Sequence, residues 1–202
     1  MNMIKPEYSL QRSPIYRELL DDKDQSRLDA PCLIDLSLVP RTGYRGTSVE
    51  QFLRSMNFPI PEKANKCLMS EQGEWVLRLS QKEFWLLSQP QENINSTLLG
   101  STLPDRECYP LYCQNSHAWF ALTGKNCPDI FAKICGVDLQ ASHFPVGAVV
   151  QTSVARVNAI IVHHVISGEQ VFSILSDSAS ATYLWKALLD AMAEYGGCVE
   201  KK

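Results

Sequence analysis

The sequence lacks the short patterns that most directly identify an enzyme. It has no G-x-G-x-x-G, no P-loop and no G-x-S-x-G, so neither a nucleotide cradle nor a nucleophile elbow is predicted. No apolar run approaches the ~20 residues that cross a bilayer, which excludes a membrane-spanning helix. Lys and Arg number 19 against 22 Asp and Glu, so the chain lacks the basic excess typical of nucleic-acid-binding proteins.

The cysteines and the N-terminus predict the cellular setting. Seven cysteines are scattered, and none forms a C-x-x-C pair. Residues 1–10 contain Lys5 and Glu7 and no apolar stretch of the kind found in secretory signals. We therefore expect reduced thiols and a soluble, cytoplasmic protein. Residues 1–30 are polar and highly charged, and they predict an N-terminal arm that is ordered only if something covers it, with a frayed terminus as the favoured alternative.

The region after this arm predicts a strand, a loop and a helix. An apolar run over 32–39 is typical of a strand, and the proline and glycines of 40–46 indicate a loop. Thr47 and Glu50 have the spacing of a capping box, which predicts that a helix begins there. The apolar stripe of this helix consists of Val49, Phe52, Leu53 and Met56.

The second half of the chain repeats this pattern. A second apolar stripe follows Gly124 at the same offsets at which the stripe of the first helix follows Gly46. This stripe predicts a second helix, and Gly136 is predicted to end it. A hairpin predicted over 75–79 and 84–88 ends in F-x-[LI]-L-S, which recurs within the second half. The members of the second stripe are Cys127, Ile130, Phe131 and Ile134, and those of the recurring motif are Phe172 to Ser176.

These repeats predict an α+β fold of two pseudo-repeated strand–helix–hairpin units. We expect one domain over 31–198, made of half-repeats of about 31–100 and 108–195. A polar segment over 89–107 is the candidate boundary between them. A last helix is predicted from about Ser178 to Tyr195, with an apolar stripe of Tyr183, Leu184, Ala187, Leu188, Ala191 and Met192.

Three groups of side chains have residue types that carry chemistry. Cys108, Cys113 and His117 could ligate zinc, but a fourth ligand is not evident, and buried structural cysteines are the favoured interpretation. Ser116 adjoins His117, and neighbours in one strand point to opposite faces, which argues against a Ser–His pair. The same alternation predicts that one histidine of 163–164 is buried and the other exposed.

Basic residues surround the glycine-containing loop before the first helix. Arg41, Arg45 and Lys63 could hold an anion at the start of that helix. A solvated or partner-facing loop is the favoured interpretation, because charged loops are usually solvent-exposed. No catalytic residue, resident cofactor site or metal site is predicted with these residues.

The order of several short motifs resembles a known family. Over about residues 32–193 it is similar to the gamma subunit of heterotetrameric sarcosine oxidase and, more distantly, to the folate-binding half of the glycine-cleavage aminomethyltransferases. The motifs are Leu33-Ile-Asp-Leu-Ser37, Arg41-x-Gly-x-Arg-Gly46, Trp85-Leu-Leu-Ser88, Ala118-Trp-Phe-Ala-Leu-Thr-Gly124, Phe144-Pro-Val-Gly147, Gln151-Thr152, Arg156 and Tyr183-Leu-Trp185.

This resemblance implies a fold like the folate-binding domain of aminomethyltransferases and a supporting role in an oxidoreductase complex. Such a complex oxidatively demethylates sarcosine and passes the one-carbon unit to tetrahydrofolate. The resemblance places FAD, FMN, NAD and tetrahydrofolate in the other subunits, and it implies an alpha-type partner with beta and delta subunits. The residues we expect to contact a partner are Arg41, Arg45, Trp119, Arg156 and Trp185.

The alternative is a stand-alone tetrahydrofolate-binding or aminomethyltransferase-like protein. That function requires a cavity with aromatic walls and a carboxylate for the pterin edge. The sequence departs from the family at Leu38, where a basic residue or histidine is common. Asp35 lies in a predicted strand and Asp105 in the polar segment, so neither has the context of the aspartate that aminomethyltransferases use.

Overall fold

A computed structural model describes residues 12–21, 30–90 and 107–200. Most of the predicted arm and of the predicted boundary segment lie outside these residues. The strands are β1 (Cys32–Asp35), β2 (Arg41–Gly46), β3 (Lys66–Met69), β4 (Trp75–Arg78), β5 (Glu83–Leu87), β6 (Cys108–Leu111), β7 (His117–Thr123), β8 (Val149–Val154), β9 (Val157–Ile166), β10 (Glu169–Asp177) and β11 (Cys198–Glu200). The α-helices are α1 (Tyr16–Asp21), α2 (Val49–Ser55), α3 (Cys113–Ser116), α4 (Cys127–Ile134) and α5 (Ala181–Met192).

The strands form two sheets whose order is related. The five-stranded sheet has the order β3-β4-β5-β2-β6, and the six-stranded sheet has the order β11-β1-β7-β10-β9-β8. The run β3-β4-β5-β2 corresponds to β8-β9-β10-β7, while β6 pairs with β2 and β1 pairs with β7. The α+β prediction is therefore confirmed. The shared order supports the division into two half-repeats, which stays a prediction, and in this division each half places its first strand in the other half's sheet.

Gly46 and Gly124 occupy matching places, where the chain meets the first strand of the other half. Their φ angles are 143° and 104°, a region that side-chain-bearing residues rarely adopt. A Cβ on Gly46 would lie 1.7 Å from the carbonyl oxygen of Glu107, and one on Gly124 would lie 2.9 Å from Cα of Pro31. Glu107 and Pro31 directly precede β6 and β1. Glycine at both positions therefore lets a strand from the other half approach closely.

The two sheets and the helices form four layers. The inner faces of the sheets pack together through one cluster that includes Trp75, Trp85 and Trp119. The outer face of the five-stranded sheet packs on α2, and that of the six-stranded sheet packs on α4 and α5. Alternation along each strand supplies both faces, which explains why most strands are apolar throughout. No helix in the described part of the chain has the length and apolar character that crossing a bilayer requires.

The predicted loop over 40–46 is wrong, because its residues form β2 in the interior of the five-stranded sheet. β2 pairs with β5 on one side and β6 on the other. Gly43 permits this placement, since a Cβ there would lie 3.0 Å from Cδ1 of Trp85. The glycines were interpreted as turn residues, but they make space for a neighbouring side chain and a neighbouring backbone. The preceding strand, β1, ends at Asp35, short of the predicted end at residue 39.

The predicted capping box at the start of α2 is also wrong, although its apolar stripe is buried. The helix begins at Val49, and its N-cap, Ser48, makes no side-chain capping hydrogen bond. The Thr47 hydroxyl donates to the Glu107 carboxylate, and Glu50 pairs with Arg54 and with Arg78. The capping box is absent because Thr47 bonds to Glu107, before β6, and Glu50 pairs with arginines of α2 and β4.

The structure confirms the positions of the predicted hairpin and of the last helix, and it corrects the roles of two residues. β4 and β5 form the predicted hairpin, and the last helix spans 178–195 with a 3₁₀ turn at each end of α5. Trp185 lies on the buried face of α5, whereas Tyr183, expected there, is 54% exposed. Gly136 does not adopt a positive φ, because the chain after α4 continues extended from Cys135 and bridges to β8. Its predicted capping role is therefore wrong.

Candidate functional site

A cleft of about 480 Å³ lies between the two sheets. One wall comes from β2 and the β4–β5 hairpin, and the other comes from β7 to β10. Openings between layers are common places for ligands. The cleft is lined by Arg45, Leu79, Glu83, Trp85, His117, Gln151, Thr152, Asn158, Ala159, Ile160 and Leu175.

Glu83 is the carboxylate of this cleft, and both of its oxygens are occupied. The Trp85 indole N–H donates to Oε1 at 3.0 Å, and Arg45 donates to Oε2 through Nη2 at 2.6 Å and Nε at 3.0 Å. Arg45 and Glu83 are direct partners in the β2–β5 register, so the sheet itself brings them together. The Glu83 side chain is only 16% exposed. This carboxylate is therefore committed to the protein's own side chains.

His117 lies beside this group at the start of β7. Its ring packs edge-to-face on Trp85, with 4.8 Å between ring centroids, and Nδ1 is 2.8 Å from the Ser116 hydroxyl. The prediction that these neighbours point apart is wrong, because Ser116 ends α3 and only His117 belongs to the strand. Burial lowers the pKa of His117, and the charge of Arg41 lowers it further. The imidazole is therefore neutral at neutral pH.

Gln151 connects the two walls of the cleft. Its Nε2 donates to the Leu79 carbonyl at 2.7 Å and to Asn65 Oδ1 at 3.0 Å. Leu79 and Asn65 belong to the five-stranded half of the structure, while Gln151 belongs to β8 of the other sheet. The cleft thus combines one aromatic wall, a neutral imidazole, amide groups and a carboxylate that is already paired. It offers neutral hydrogen-bonding groups but no ready ionised partner.

Arg41 is not at the surface, contrary to the favoured interpretation of a solvated or partner-facing loop and to its expected partner contact. It is 2% exposed, and its guanidinium donates to five main-chain carbonyls. Burial lowers its pKa to about 10. Arg45 is paired with Glu83 and Lys63 lies on an exposed segment, so the expected basic cluster is not formed. The carbonyls belong to Ser37, Val39, Cys113, Gln114 and His117.

Trp119 and Trp185 are both core residues, so the expected partner contact through these side chains is corrected. Each is 0% exposed. The Trp119 indole N–H donates to the Ser173 hydroxyl at 2.7 Å, and Trp185 packs edge-to-face on Phe120 at 5.0 Å between centroids. These rings fill the two faces of the six-stranded sheet. Aromatic residues fit protein interfaces and cores equally well, and their sequence positions do not separate the two.

Arg45 and Arg156 are the expected contact residues that remain exposed. Arg156 lies in the β8–β9 turn with a φ of 68°. With Tyr183 it lines a groove of about 450 Å³ beside α4 and α5. A role in partner contact stays a prediction for both arginines.

The histidine pair and the two cysteines of the candidate zinc group are also interior. His163 and His164 are 3% and 0% exposed, so the expected alternation of burial is wrong, because both faces of the six-stranded sheet are covered. Cys108 and Cys113 are buried, and burial raises the pKa of Cys113 to about 12. Within residues 12–21, 30–90 and 107–200, no three His, Cys, Asp or Glu side chains group as metal ligands do.

Comparisons with known proteins agree with this architecture. The structure superposes on a chain of the heterotetrameric sarcosine oxidase from Corynebacterium sp. U-96, solved with pyrrole 2-carboxylate, with a TM-score of 0.75 and 22% identity over 95% of this chain and 99% of that chain. It also superposes on the glycine cleavage system aminomethyltransferase T from Bartonella henselae, with a TM-score of 0.62 and 17% identity over 95% of this chain and 59% of that chain. No curated protein matches the sequence significantly. At these identities the two likenesses establish the fold.

The match to a sequence family goes further than the fold. The family described as the GCVT N-terminal domain matches residues 66–199, which is more than half of the chain. The matched region contains every cleft-lining residue except Arg45 and the two helices, α4 and α5, that cover the six-stranded sheet. It also contains that sheet except β1 and the last residue of β11. The chain has an aminomethyltransferase-like α+β fold, and it belongs to the GCVT N-terminal domain family.

Proposed function

We propose that this protein is a gamma-type, non-catalytic subunit of a heterotetrameric sarcosine oxidase-like flavoenzyme. The proposed complex oxidatively demethylates sarcosine and transfers the one-carbon unit to tetrahydrofolate. The match in length supports this assignment, because the chain spans 99% of a chain from a heterotetrameric sarcosine oxidase but only 59% of an aminomethyltransferase. A chain that matches one whole subunit is a better candidate for the same place in an assembly than for a longer enzyme.

The observation that carries the non-catalytic role is the occupied Glu83 carboxylate. A pterin needs a carboxylate that can accept from its N–H groups, but Arg45 and Trp85 already donate to both oxygens of Glu83. The space behind the cleft is filled by the apolar side chains between the sheets. We therefore propose that this chain binds no flavin, nicotinamide or folate, and that FAD, FMN, NAD and tetrahydrofolate belong to the other subunits.

The proposed partner is an alpha-type subunit, accompanied by beta and delta subunits. Arg45 and Arg156 are the proposed contact residues, since both are exposed in this fold. Arginine is favoured at interfaces because its planar guanidinium makes several hydrogen bonds at once. We also propose that the assembly works in the cytoplasm, where seven scattered cysteines with no disulfide pattern stay reduced by default.

A purification from the native cell tests this proposal. The full chain, carrying an affinity tag, is recovered and its co-purifying proteins are identified by mass spectrometry and visible absorbance. We expect a yellow complex with larger flavin-containing subunits. A colourless protein recovered alone, from cells that express an alpha-type subunit, would contradict the proposal.

The cleft itself supports a second candidate, a stand-alone tetrahydrofolate-binding protein. Its volume of about 480 Å³ and its Trp85 and His117 rings suit a planar heterocycle. Calorimetric titration of tetrahydrofolate into the isolated chain separates the two candidates. We expect no saturable binding, because Glu83 is already paired, whereas a one-to-one isotherm abolished by Trp85→Ala would favour the second candidate.

A further inference from the structure

Two cysteines face each other across neighbouring strands at the edge of the six-stranded sheet. β1 and β11 are parallel, and Cys32 and Cys198 are direct partners in their register. Neighbouring strands lie about 4.8 Å apart, which is within the Cα–Cα range of about 4.4–6.8 Å that a disulfide spans. The register therefore places two thiols at a separation that a covalent bond can close.

Both side chains lie on the same face of the sheet. Cys32 packs toward the core between the sheets, whereas Leu33 and Val199 pack in the core beneath α4 and α5. Because side chains alternate along a strand, Cys198, which precedes Val199, points the same way as Cys32. The Cβ vectors of two cysteines on one face and in register do not point apart, the arrangement that would prevent a disulfide.

The backbone around this pair is well positioned. The Cys198 N–H donates to the Pro31 carbonyl at 2.9 Å, which aligns the start of β11 with the start of β1. Gly197 packs on Met192, since a Cβ at this glycine would lie 2.3 Å from the methionine Cε atom. The chain therefore enters β11 at a position set by α5, and the two cysteines meet without any change of register.

Partial exposure of Cys32 and its register with Cys198 distinguish this pair from the deeply buried cysteines. Cys32 is partly exposed, while Cys198 beside it is 7% exposed. Burial raises the pKa of Cys67, Cys113 and Cys127 to about 12, which suppresses their thiolate forms. Among the strand registers of the described residues, no other position sets one cysteine opposite another.

We propose that Cys32 and Cys198 form a redox modification site that closes to a disulfide and ties β11 to β1. With oxidised glutathione as the oxidant, the Cys32 thiolate attacks the glutathione disulfide and one glutathione thiolate leaves. The Cys198 thiolate then attacks the Cys32 sulfur and displaces the second glutathione. Two electrons pass from the protein thiols to the oxidant, and the two thiol protons go to the released glutathione. This site is independent of the proposed subunit role.

The test uses the full chain, purified in reduced form and treated with oxidised glutathione. After the chain is unfolded in denaturant and the remaining thiols are blocked with N-ethylmaleimide, intact mass spectrometry counts the blocked cysteines. We expect two of the seven thiols to be protected, and peptide mapping to join the peptides that contain Cys32 and Cys198. We also expect the oxidised form to unfold at a temperature higher by at least about 5 °C, because the bond closes a long loop.

Matched variants make the assignment specific. C198S should stop at a glutathione adduct on Cys32, and C32S should form no bridge. C135S is the control. Cys135 is partly exposed, but the residue opposite it in its backbone β-bridge is Val154, which has no thiol. C135S should oxidise as the natural chain does. Peptide mapping of the natural chain decides the question even if a variant does not fold. Seven blocked thiols after treatment, or a bridge between any other two cysteines, would overturn the proposal.

Discussion

Arg41 shows how main-chain carbonyls hold a full positive charge inside the protein. A guanidinium has five N–H donors, and here each one meets a main-chain carbonyl. Those carbonyls belong to the turn after β1, to α3 and to the start of β7. Because β2 lies in the other sheet, this one side chain joins segments of both sheets.

Replacing Arg41 by lysine should therefore destabilise the protein although the charge is kept. Lysine has three donors on one atom and leaves carbonyls without partners, so we expect the free energy of unfolding to fall by about 2–4 kcal/mol. Arg54→Lys is the control, because Arg54 is exposed and pairs only with Glu50, and it should change stability by less than about 0.5 kcal/mol. Urea unfolding measures both. Equal effects would contradict the structural role of Arg41.

His164 is a residue whose burial predicts pH dependence. The Ser173 hydroxyl accepts from the Trp119 indole and lies 2.7 Å from Nε2 of His164, inside the core. Burial lowers the pKa of His164 from 6.5 to about 3. Between these values the unfolded chain binds a proton that the folded chain does not. Stability conferred by the neutral ring is therefore full above pH 6.5 and is lost as the pH falls.

We expect acidification below pH 6.5 to cost up to about 1.4 kcal/mol per pH unit through this one residue. Replacing His164 by glutamine retains an acceptor for Ser173 and removes the titration, so the slope of unfolding free energy against pH should become shallower. His143→Gln is the control, because His143 is exposed beside Asp138. Urea unfolding at several pH values gives the slopes. A slope unchanged in H164Q would show that His164 does not titrate in this way.

At the scale of elements, the pairing of β6 with β2 depends on Gly46. Alanine there must adopt a φ of 143° and place its Cβ 1.7 Å from the Glu107 carbonyl oxygen. We expect Gly46→Ala to lower the free energy of unfolding by about 3 kcal/mol or more, from backbone strain and overpacking together. Gly124→Ala, with its Cβ 2.9 Å from Pro31, should cost less.

Gly136→Ala is the matched control for this series. Nothing lies within 4 Å of a Cβ at Gly136, and its φ is not positive. Its stability should change by less than about 0.5 kcal/mol. The expected order of destabilisation is G46A, then G124A, then G136A, measured by thermal or urea unfolding. A different order would mean that strand exchange does not depend on these close approaches.

At the scale of the whole molecule, the buried tryptophans restrict where a partner can bind. Trp119 and Trp185 belong to the interior, so neither side chain is available to a partner in this fold. Arg156, in the turn between β8 and β9, is exposed. This placement makes it the most direct test of the proposed contact surface.

Reversing the charge at Arg156 should weaken the proposed complex without unfolding the chain. For Arg156→Glu we expect co-purified flavin to fall at least ~10-fold, because a like charge at an interface costs on the order of 1.4 kcal/mol or more. Arg54→Glu, on the outer helix α2, is the control and should leave recovery unchanged. Thermal unfolding of both variants verifies the fold. Undiminished flavin recovery with R156E would remove this residue from the proposed contact.

The sequence predicted elements best where periodicity was strong. The stripes of α2 and α4 and the β4–β5 hairpin are local patterns, and the structure confirms them. The residues of β2 were predicted as a loop, because glycines that make space for neighbouring residues cannot be told from turn glycines in a sequence. Surface assignments failed for the three buried side chains, since arginine and tryptophan suit interfaces and interiors alike. Those side chains are Arg41, Trp119 and Trp185.

Local sequence patterns could not predict the candidate cleft. Glu83, Trp85 and His117 come from two different sheets, and only the packing of those sheets brings them together. The sequence contained one usable signal, the Trp85-Leu-Leu-Ser88 motif, but it did not identify the partners of the indole. Glu83, two residues earlier, is that partner, because residues two apart in a strand share a face.

The sequence by itself determined the α+β class, the repeated helix stripes and the two glycines that the repeats share. Periodicity and offsets of this kind are properties of neighbouring residues, so no tertiary information is needed to read them. The tertiary structure alone decided which strands exchange between the sheets, that Arg41 is buried on five carbonyls, and that the Glu83 carboxylate is already paired. These outcomes depend on contacts between residues far apart in the chain, and burial and hydrogen-bond partners are set only when those residues meet.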